Sequence, residues 1–300
     1  VSVNPVDTKV RSPKSKVEEK PRVLGWDASG TVVSVGEGVT LFQQGDKVFY
    51  AGDITKQGSN SEYQIVDERI VGFAPISLDC TQIAAMPLTA ITAWEALFER
   101  LAIPLNKQTN KNKSLLIIGG AGGVGSIAIQ LASAIAGLTV ITTASRPEST
   151  TWCKDMGANY IIDHSKSLPE QMTGLKSSQC DYILCCNSTD LYFEPMVELI
   201  KPLGKICCIV DNASPIELQK LKPKSVSFSW EFMFTRAKYQ TEDMIEQHHI
   251  LNRVAQLLDE GLLKSTLNKV YSPINAENLR LAHSEIEQGA MTGKLVLSLW

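Results

Sequence analysis

The chain has 300 residues, 44% of them hydrophobic and 20% charged, and a net charge of −3 at pH 7. That is enough apolar material for two core-bearing units, and so small a charge gives no reason to expect nucleic acid or an anionic membrane as a partner. No apolar run reaches the length of a membrane span and no basic-then-apolar leader opens the chain; it begins at Val1 rather than Met, so an N-terminal piece is expected to be missing.

The pattern up to about residue 85 is one of short strands and turns. Residues 14–22 mix acids and bases and read as a solvated loop. The segments 28–36 and 45–52 alternate apolar and polar positions between glycines, as half-buried strands do, and 61–75 continues in that style up to Pro75. From 81 to 103 the apolar residues recur three and four apart, which predicts a helix. After a polar loop at 106–113, strands predicted at 114–118, 138–143, 159–162, 181–186 and 204–210 alternate with helices at 124–136, 148–156, 168–175 and 190–201. Near-continuous apolar strands separated by helices predict a parallel sheet covered on both faces. A sixth strand is expected within 225–232, and an amphipathic helix spans 242–261, closed by Gly261. The tail returns to short strands around one more helix and resembles the start of the chain. A discontinuous β-rich domain, 1–87 with 266–300, is therefore expected to carry an inserted α/β domain, 88–265.

The seven cysteines form no C-x-x-C pair. Cys185–Cys186 and Cys207–Cys208 lie in apolar runs, where cysteine acts as a small hydrophobe, and unpaired thiols in a reducing cytoplasm are the economical reading.

The chemistry-bearing stretch is "LLIIGGAGGVGSIAIQ" (115–130). Gly120, Gly122 and Gly125 fit G-x-G-x-x-G: a tight turn, a close backbone approach to pyrophosphate, and close packing of helix on strand. The turn follows a strand and opens a helix, whose amide groups and positive dipole end then face phosphate; Gly123 and Val124 belong to the same cradle. About twenty residues on, NAD binders usually carry an acid for the ribose hydroxyls. Here Ser145 and Arg146 stand instead. A hydroxyl and a guanidinium bind a 2′-phosphate that a carboxylate would repel, so the cofactor expected is NADPH. The structural alternative leaves Arg146 as a solvated residue before a helix.

With "VNPVDTKVR" (3–11), "LGWDASGTVVSVG" (24–36), "GDKVFYAG" (45–52) and "AAMPLTAITAWEAL" (84–97), in that order, the chain resembles the medium-chain dehydrogenases/reductases, closest to the quinone oxidoreductase branch and to proteins labelled zinc-type alcohol dehydrogenase-like. The resemblance implies a Rossmann doubly wound sheet inserted in a GroES-like catalytic domain, and a first domain that starts late. Zinc-dependent members carry a cysteine where this chain has Asn4, and a His-Glu pair where it has Trp26-Asp27; their structural zinc lobe has no counterpart. Adjacent His248 and His249 diverge on a helix and cannot share a metal as an i, i+4 pair does. No zinc site is expected. Without a Lewis acid, an activated acceptor is the easier substrate: a quinone, or an α,β-unsaturated carbonyl.

For the site, the resemblance implies Asn4 facing the nicotinamide, Tyr50 as a donor to the substrate oxygen, and Thr92 beside the nicotinamide. It places Asn187 near the nicotinamide ribose and His164 where relatives often have an adenine-side tyrosine. Each has a structural alternative: Asn4 as a turn residue before Pro5, Tyr50 in the core or rim, Thr92 packing in a helix, and Asp7 and Asp27 orienting their neighbours. The expected assembly is a homodimer through the strand in 225–232. Two other functions compete: a zinc-dependent alcohol dehydrogenase, and an NADPH-binding redox sensor with little turnover.

Overall fold

The computed structural model describes residues 1–13, 15, 19–175 and 178–300; part of the loop read at 14–22 therefore lies outside the described residues. The chain divides into two compact units, 1–91 with 233–300, and 92–232.

The first unit opens with β1 (Ser2–Val3), α1 (Pro5–Arg11), β2 (Ala28–Thr31), β3 (Lys47–Tyr50), β4 (Val71–Phe73), α2 (Cys80–Ala84) and α3 (Pro87–Trp94). Strands β2, β3 and β4 form an antiparallel sheet in which Ala28 faces Tyr50. Only the end of 61–75 is strand. Asp67 accepts from the Arg69 N–H and both arms of its guanidinium, which favours the one-turn 3₁₀ helix Glu68–Ile70 over extension. The helix expected over 81–103 is broken as well. Pro87 lacks an N–H and fits only a first turn, so α2 stops short and a new helix begins, running on into a π-helical stretch, Glu95–Arg100.

The second unit carries β5 (Ser114–Ile118), α4 (Gly123–Gln130), β6 (Thr139–Thr143), α5 (Pro147–Asp155), β7 (Tyr160–Ile162), α6 (Leu168–Thr173), β8 (Cys180–Cys185), α7 (Thr189–Leu199), β9 (Ile200–Cys208) and β10 (Ser227–Trp230). All six strands are parallel, in the order β10-β9-β8-β5-β6-β7. This is the doubly wound Rossmann arrangement expected. Every residue of β5 is buried, which is why its sequence reads as an unbroken apolar run.

The chain returns to the first unit with α8 (Thr235–Tyr239), α9 (Glu246–Asp259), β11 (Leu267–Tyr271), α10 (Ala276–Glu287) and β12 (Lys294–Leu297). Strand β12 lies between β1, antiparallel, and β11, parallel. The expected domain boundaries put 233–265 with the nucleotide-binding region, whereas those residues pack in the first unit. The reason is the face of α9. His248 Nδ1 lies 2.7 Å from the Val71 carbonyl, Asn252 accepts from the Phe73 N–H at 2.9 Å, and Leu251 fills the space left by Gly72. Among the described residues, no helix is long and apolar enough to cross a membrane.

Candidate active site

The glycine turn follows β5 and opens α4. Gly119 holds a φ of +89°, a conformation that favours glycine, and its N–H is anchored 2.9 Å from Thr143 Oγ1. A side chain on Gly120 would run into Thr142, and one on Gly125 would collide with the Gly119 carbonyl and stand 2.7 Å from Gly120 Cα. Gly122 differs. A Cβ there would meet the protein only in ordinary contact, 3.6 Å from the Gly119 oxygen. The first and third glycines are thus required by packing, and the second leaves an open approach to the amide groups of Gly123 and Val124 at the start of α4. An anion such as a pyrophosphate fits that position.

Around this turn the structure gathers several of the expected cofactor residues. Asn187, just after β8, brings its Cβ to 3.5 Å from the position a Gly119 Cβ would take. Ser145 after β6 and His164 after β7 meet through Oγ and Nε2 at 3.1 Å. Arg146 is the N-cap residue of α5 and is exposed. All of these stand at the carboxyl ends of their strands, the edge at which open α/β sheets bind ligands. Thr142 and Thr143, which support the turn from β6, had no sequence signal beyond belonging to an apolar strand. Trp152 Nε1 donates to Ser126 Oγ at 2.8 Å, a tie between α5 and α4 that was equally silent.

In the first unit Asn4, one of the expected catalytic residues, sits in a buried polar network. Asn4 caps α1 and is 1% exposed; Asp7, Asp27 and Lys294 are buried with it. Asn4 Nδ2 donates to Asp27 Oδ2 at 2.9 Å, and Lys294 Nζ donates to Asn4 Oδ1, to Asp27 Oδ2 at 3.0 Å and to the Val3 carbonyl at 3.0 Å. Asp27 Oδ1 accepts from the Leu88 N–H at 2.8 Å, in the first turn of α3, the helix that carries buried Thr92. Asp27 therefore only accepts, as a carboxylate does. Burial pushes its pKa up, and Lys294, the Asn4 amide and the Leu88 N–H each favour the ionised form. Ala28, the next residue, pairs with Tyr50, so Asn4 and Tyr50 flank the same stretch of β2. The Tyr50 hydroxyl donates to Gln64 Oε1 at 2.9 Å, and burial pushes its pKa up to about 12, keeping the phenol protonated. Lys294 was not singled out from the sequence; a lysine opening an apolar strand carries no signal that it points inward.

Asp7 accepts from the Asn4 N–H through Oδ2, while its buried Oδ1 has no partner at hydrogen-bonding geometry among the described residues. Burial pushes its pKa up to about 7, against the pull of the Asn4 and Gly25 N–H groups and Lys294. The folded state therefore holds this proton more tightly than the unfolded chain. Its contribution to stability is present below pH 3.8 and is lost, at about 1.4 kcal/mol per pH unit, as pH rises to about 7. Asp7→Asn keeps an acceptor for the Asn4 N–H without the charge. Its melting temperature relative to wild type is expected to rise between pH 5 and pH 8, which calorimetry at the two pH values checks; a pH-independent difference contradicts the assignment.

The donor set does not suit zinc. Asn4 and Trp26 stand at positions where the resembled zinc enzymes have cysteine and histidine, and Trp26 Nε1 donates to the Asp53 carbonyl at 3.3 Å. The Lys294 ammonium already lies among the oxygens of Val3, Asn4 and Asp27. Among the described residues no three His, Cys, Asp or Glu side chains gather in a way that could hold a metal ion.

Comparison with known proteins agrees with this architecture. A family profile described as "Alcohol dehydrogenase GroES-like domain" matches residues 1–81, and one described as "Zinc-binding dehydrogenase" matches 156–297. A zinc-type alcohol dehydrogenase-like protein of Staphylococcus aureus is 48% identical over 299 residues, covering 100% of this chain and 88% of its own length. An NADPH-dependent alkenal/one oxidoreductase of Arabidopsis thaliana is 32% identical over 222 residues, 71% of this chain and 54% of that protein. A crystal structure described as that of a zinc-dependent alcohol dehydrogenase protein from Rhizobium etli, 46% identical, covers 100% of this chain and 87% of its own with a TM-score of 0.94. The Escherichia coli quinone oxidoreductase solved with NADPH, 22% identical, shares the fold at a TM-score of 0.84 over 99% of this chain and 89% of its own. The chain belongs to the medium-chain dehydrogenase/reductase superfamily, with the zinc-type alcohol dehydrogenase-like proteins, and is an oxidoreductase using a nicotinamide cofactor.

Proposed function

We propose that the protein is a zinc-independent, NADPH-dependent oxidoreductase that delivers hydride to a quinone or an α,β-unsaturated carbonyl. The observation that carries this reading is the Lys294 ammonium bonded to Asn4 and Asp27, a fixed cation beside the residues that replace zinc ligands. The alkenal/one specificity in the name of the Arabidopsis relative supports the acceptor class.

The cradle at Gly122, Gly123 and Val124 would hold a reduced nicotinamide nucleotide, which when bound would supply the hydride. Ser145 and Arg146 would hold its 2′-phosphate, with His164 on Ser145, and Asn187 lies against the turn. Thr92 would position the nicotinamide. As the acceptor oxygen gains charge, the Asn4 amide N–H donates to it, a preorganised contact in a water-poor site. Tyr50, held neutral, is a second donor and gives its hydroxyl hydrogen to the product oxygen once that hydrogen leaves Gln64. Strand β10 is the outer strand of the six-stranded sheet and ends at the half-exposed Trp230, which supports pairing with a second copy of the chain.

The test is oxidation of NADPH with 9,10-phenanthrenequinone, 1,4-benzoquinone and a 2-alkenal, repeated with NADH and with a strong chelator. Chelator-insensitive turnover that prefers NADPH is expected, and Arg146→Ala is expected to raise KM for NADPH about tenfold while sparing NADH. Stoichiometric bound zinc with chelator-sensitive alcohol oxidation refutes the reading. Tight NADPH binding without turnover on any acceptor points to a sensor instead.

A further inference from the structure

An asparagine amide helps reduce a carbonyl only if it offers its N–H end to the oxygen. The side chain alone does not choose that end, because a half-turn of the amide exchanges donor for acceptor. In this structure two fixed neighbours choose it. The Lys294 ammonium has donors only, so the amide end against it is the oxygen; the Asp27 carboxylate has acceptors only, so the end against it is the nitrogen. The ammonium is itself held by three acceptors that match its three N–H groups, and its side chain is 4% exposed. With one Nδ2 hydrogen committed to Asp27, the second is what remains to donate.

We propose that Lys294 is a positioning residue for this reaction: with Asp27 it locks the Asn4 amide in the orientation that presents an N–H. The site thereby selects substrates whose reacting oxygen accepts a hydrogen bond, carbonyls and quinones, and its charge further polarises the amide. The inference rests on the reading that Asn4 meets the substrate oxygen. It assigns Lys294 no contact with substrate or cofactor.

The experiment uses four forms of the full chain: wild type, Asn4→Ala, the paired Asp27→Asn/Lys294→Met variant, and all three changes together. The paired variant removes both charges at once, so no uncompensated ion stays buried, yet an asparagine at 27 no longer distinguishes the two ends of the Asn4 amide. Turnover with NADPH and a quinone is measured beside NADPH affinity by fluorescence and a thermal melt. The paired variant is expected to lower kcat about ten- to hundredfold, keep NADPH affinity within about twofold, and add no loss in the Asn4→Ala background. Wild-type turnover in the paired variant, with Asn4→Ala impaired, overturns the role of Lys294 alone. Losses that multiply in the combined variant overturn it too, since Lys294 then acts by another route. Wild-type turnover in Asn4→Ala overturns the reading of Asn4 and this inference with it.

Discussion

Gly125→Ala is expected to destabilise the nucleotide-binding unit by about 1–3 kcal/mol and to abolish cofactor binding, whereas Gly122→Ala leaves the fold intact and weakens binding selectively. The difference follows from what each new methyl group meets. At Gly125 the obstacles are backbone atoms of Gly119 and Gly120, which cannot rotate away; relief requires α4 to lift off the turn, and the amides then leave the phosphate position. At Gly122 the backbone is ordinary, φ −71° and ψ 172°, and the methyl group has room. Losing glycine at this N-cap costs a few tenths of a kcal/mol to about 1 kcal/mol, offset by the smaller entropy of the unfolded chain. A nucleotide approaching the same backbone gets no such relief, so affinity falls about tenfold or more, near 1.4 kcal/mol. Urea unfolding read beside nucleotide titration separates the two. Unchanged NADPH affinity in Gly122→Ala would mean that pyrophosphate does not sit there.

The second large effect is expected at Lys294. Lys294→Met alone strands the Asp27 carboxylate in a fully buried position, and the expected cost is about 3–5 kcal/mol in urea unfolding. Adding Asp27→Asn should restore most of that stability, because a buried neutral pair of similar volume is often as stable as the ion pair it replaces. If the single substitution costs less than about 1 kcal/mol, the ammonium is not the partner that holds Asp27 ionised. The pattern expected, severe in the single variant and mild in the double, would place the worth of the ion pair in orientation rather than in stability.

The parts of this protein legible from sequence are those whose signal is local. Strand β5 was predicted at its observed residues because a strand buried on both faces reads as a continuous apolar run, and the glycine spacing that follows it encodes packing among near neighbours. Periodicity failed where a break leaves the period intact: 81–103 keeps helical spacing through Met86 and Pro87, although the backbone stops and restarts there. The apolar spacing of α9 shows that it buries a face, but not that the face belongs to β4, so the sequence alone groups 233–265 with its neighbours. Asp7 and Asp27 carry no sequence signal for their shared partner Asn4, which Asp7 meets three residues away and Asp27 across 23. Lys294 was beyond reach, since it meets Asp27 across 267 positions and no pattern joins them.

The pairing of β1 with β12 bears on how the protein is made. Residues 92–232 are contiguous, so everything needed for the six-stranded sheet leaves the ribosome as one run, and domains generally fold in order of synthesis. The first unit must wait. Its opening strand bonds to Val296 and Leu295, and the amide of Asn4 gains its ammonium from the first residue of that same late strand. A nascent chain halted between Phe232 and β12 thus has every residue of the six-stranded sheet and its glycine turn, while the buried network around Asn4 still lacks its ammonium.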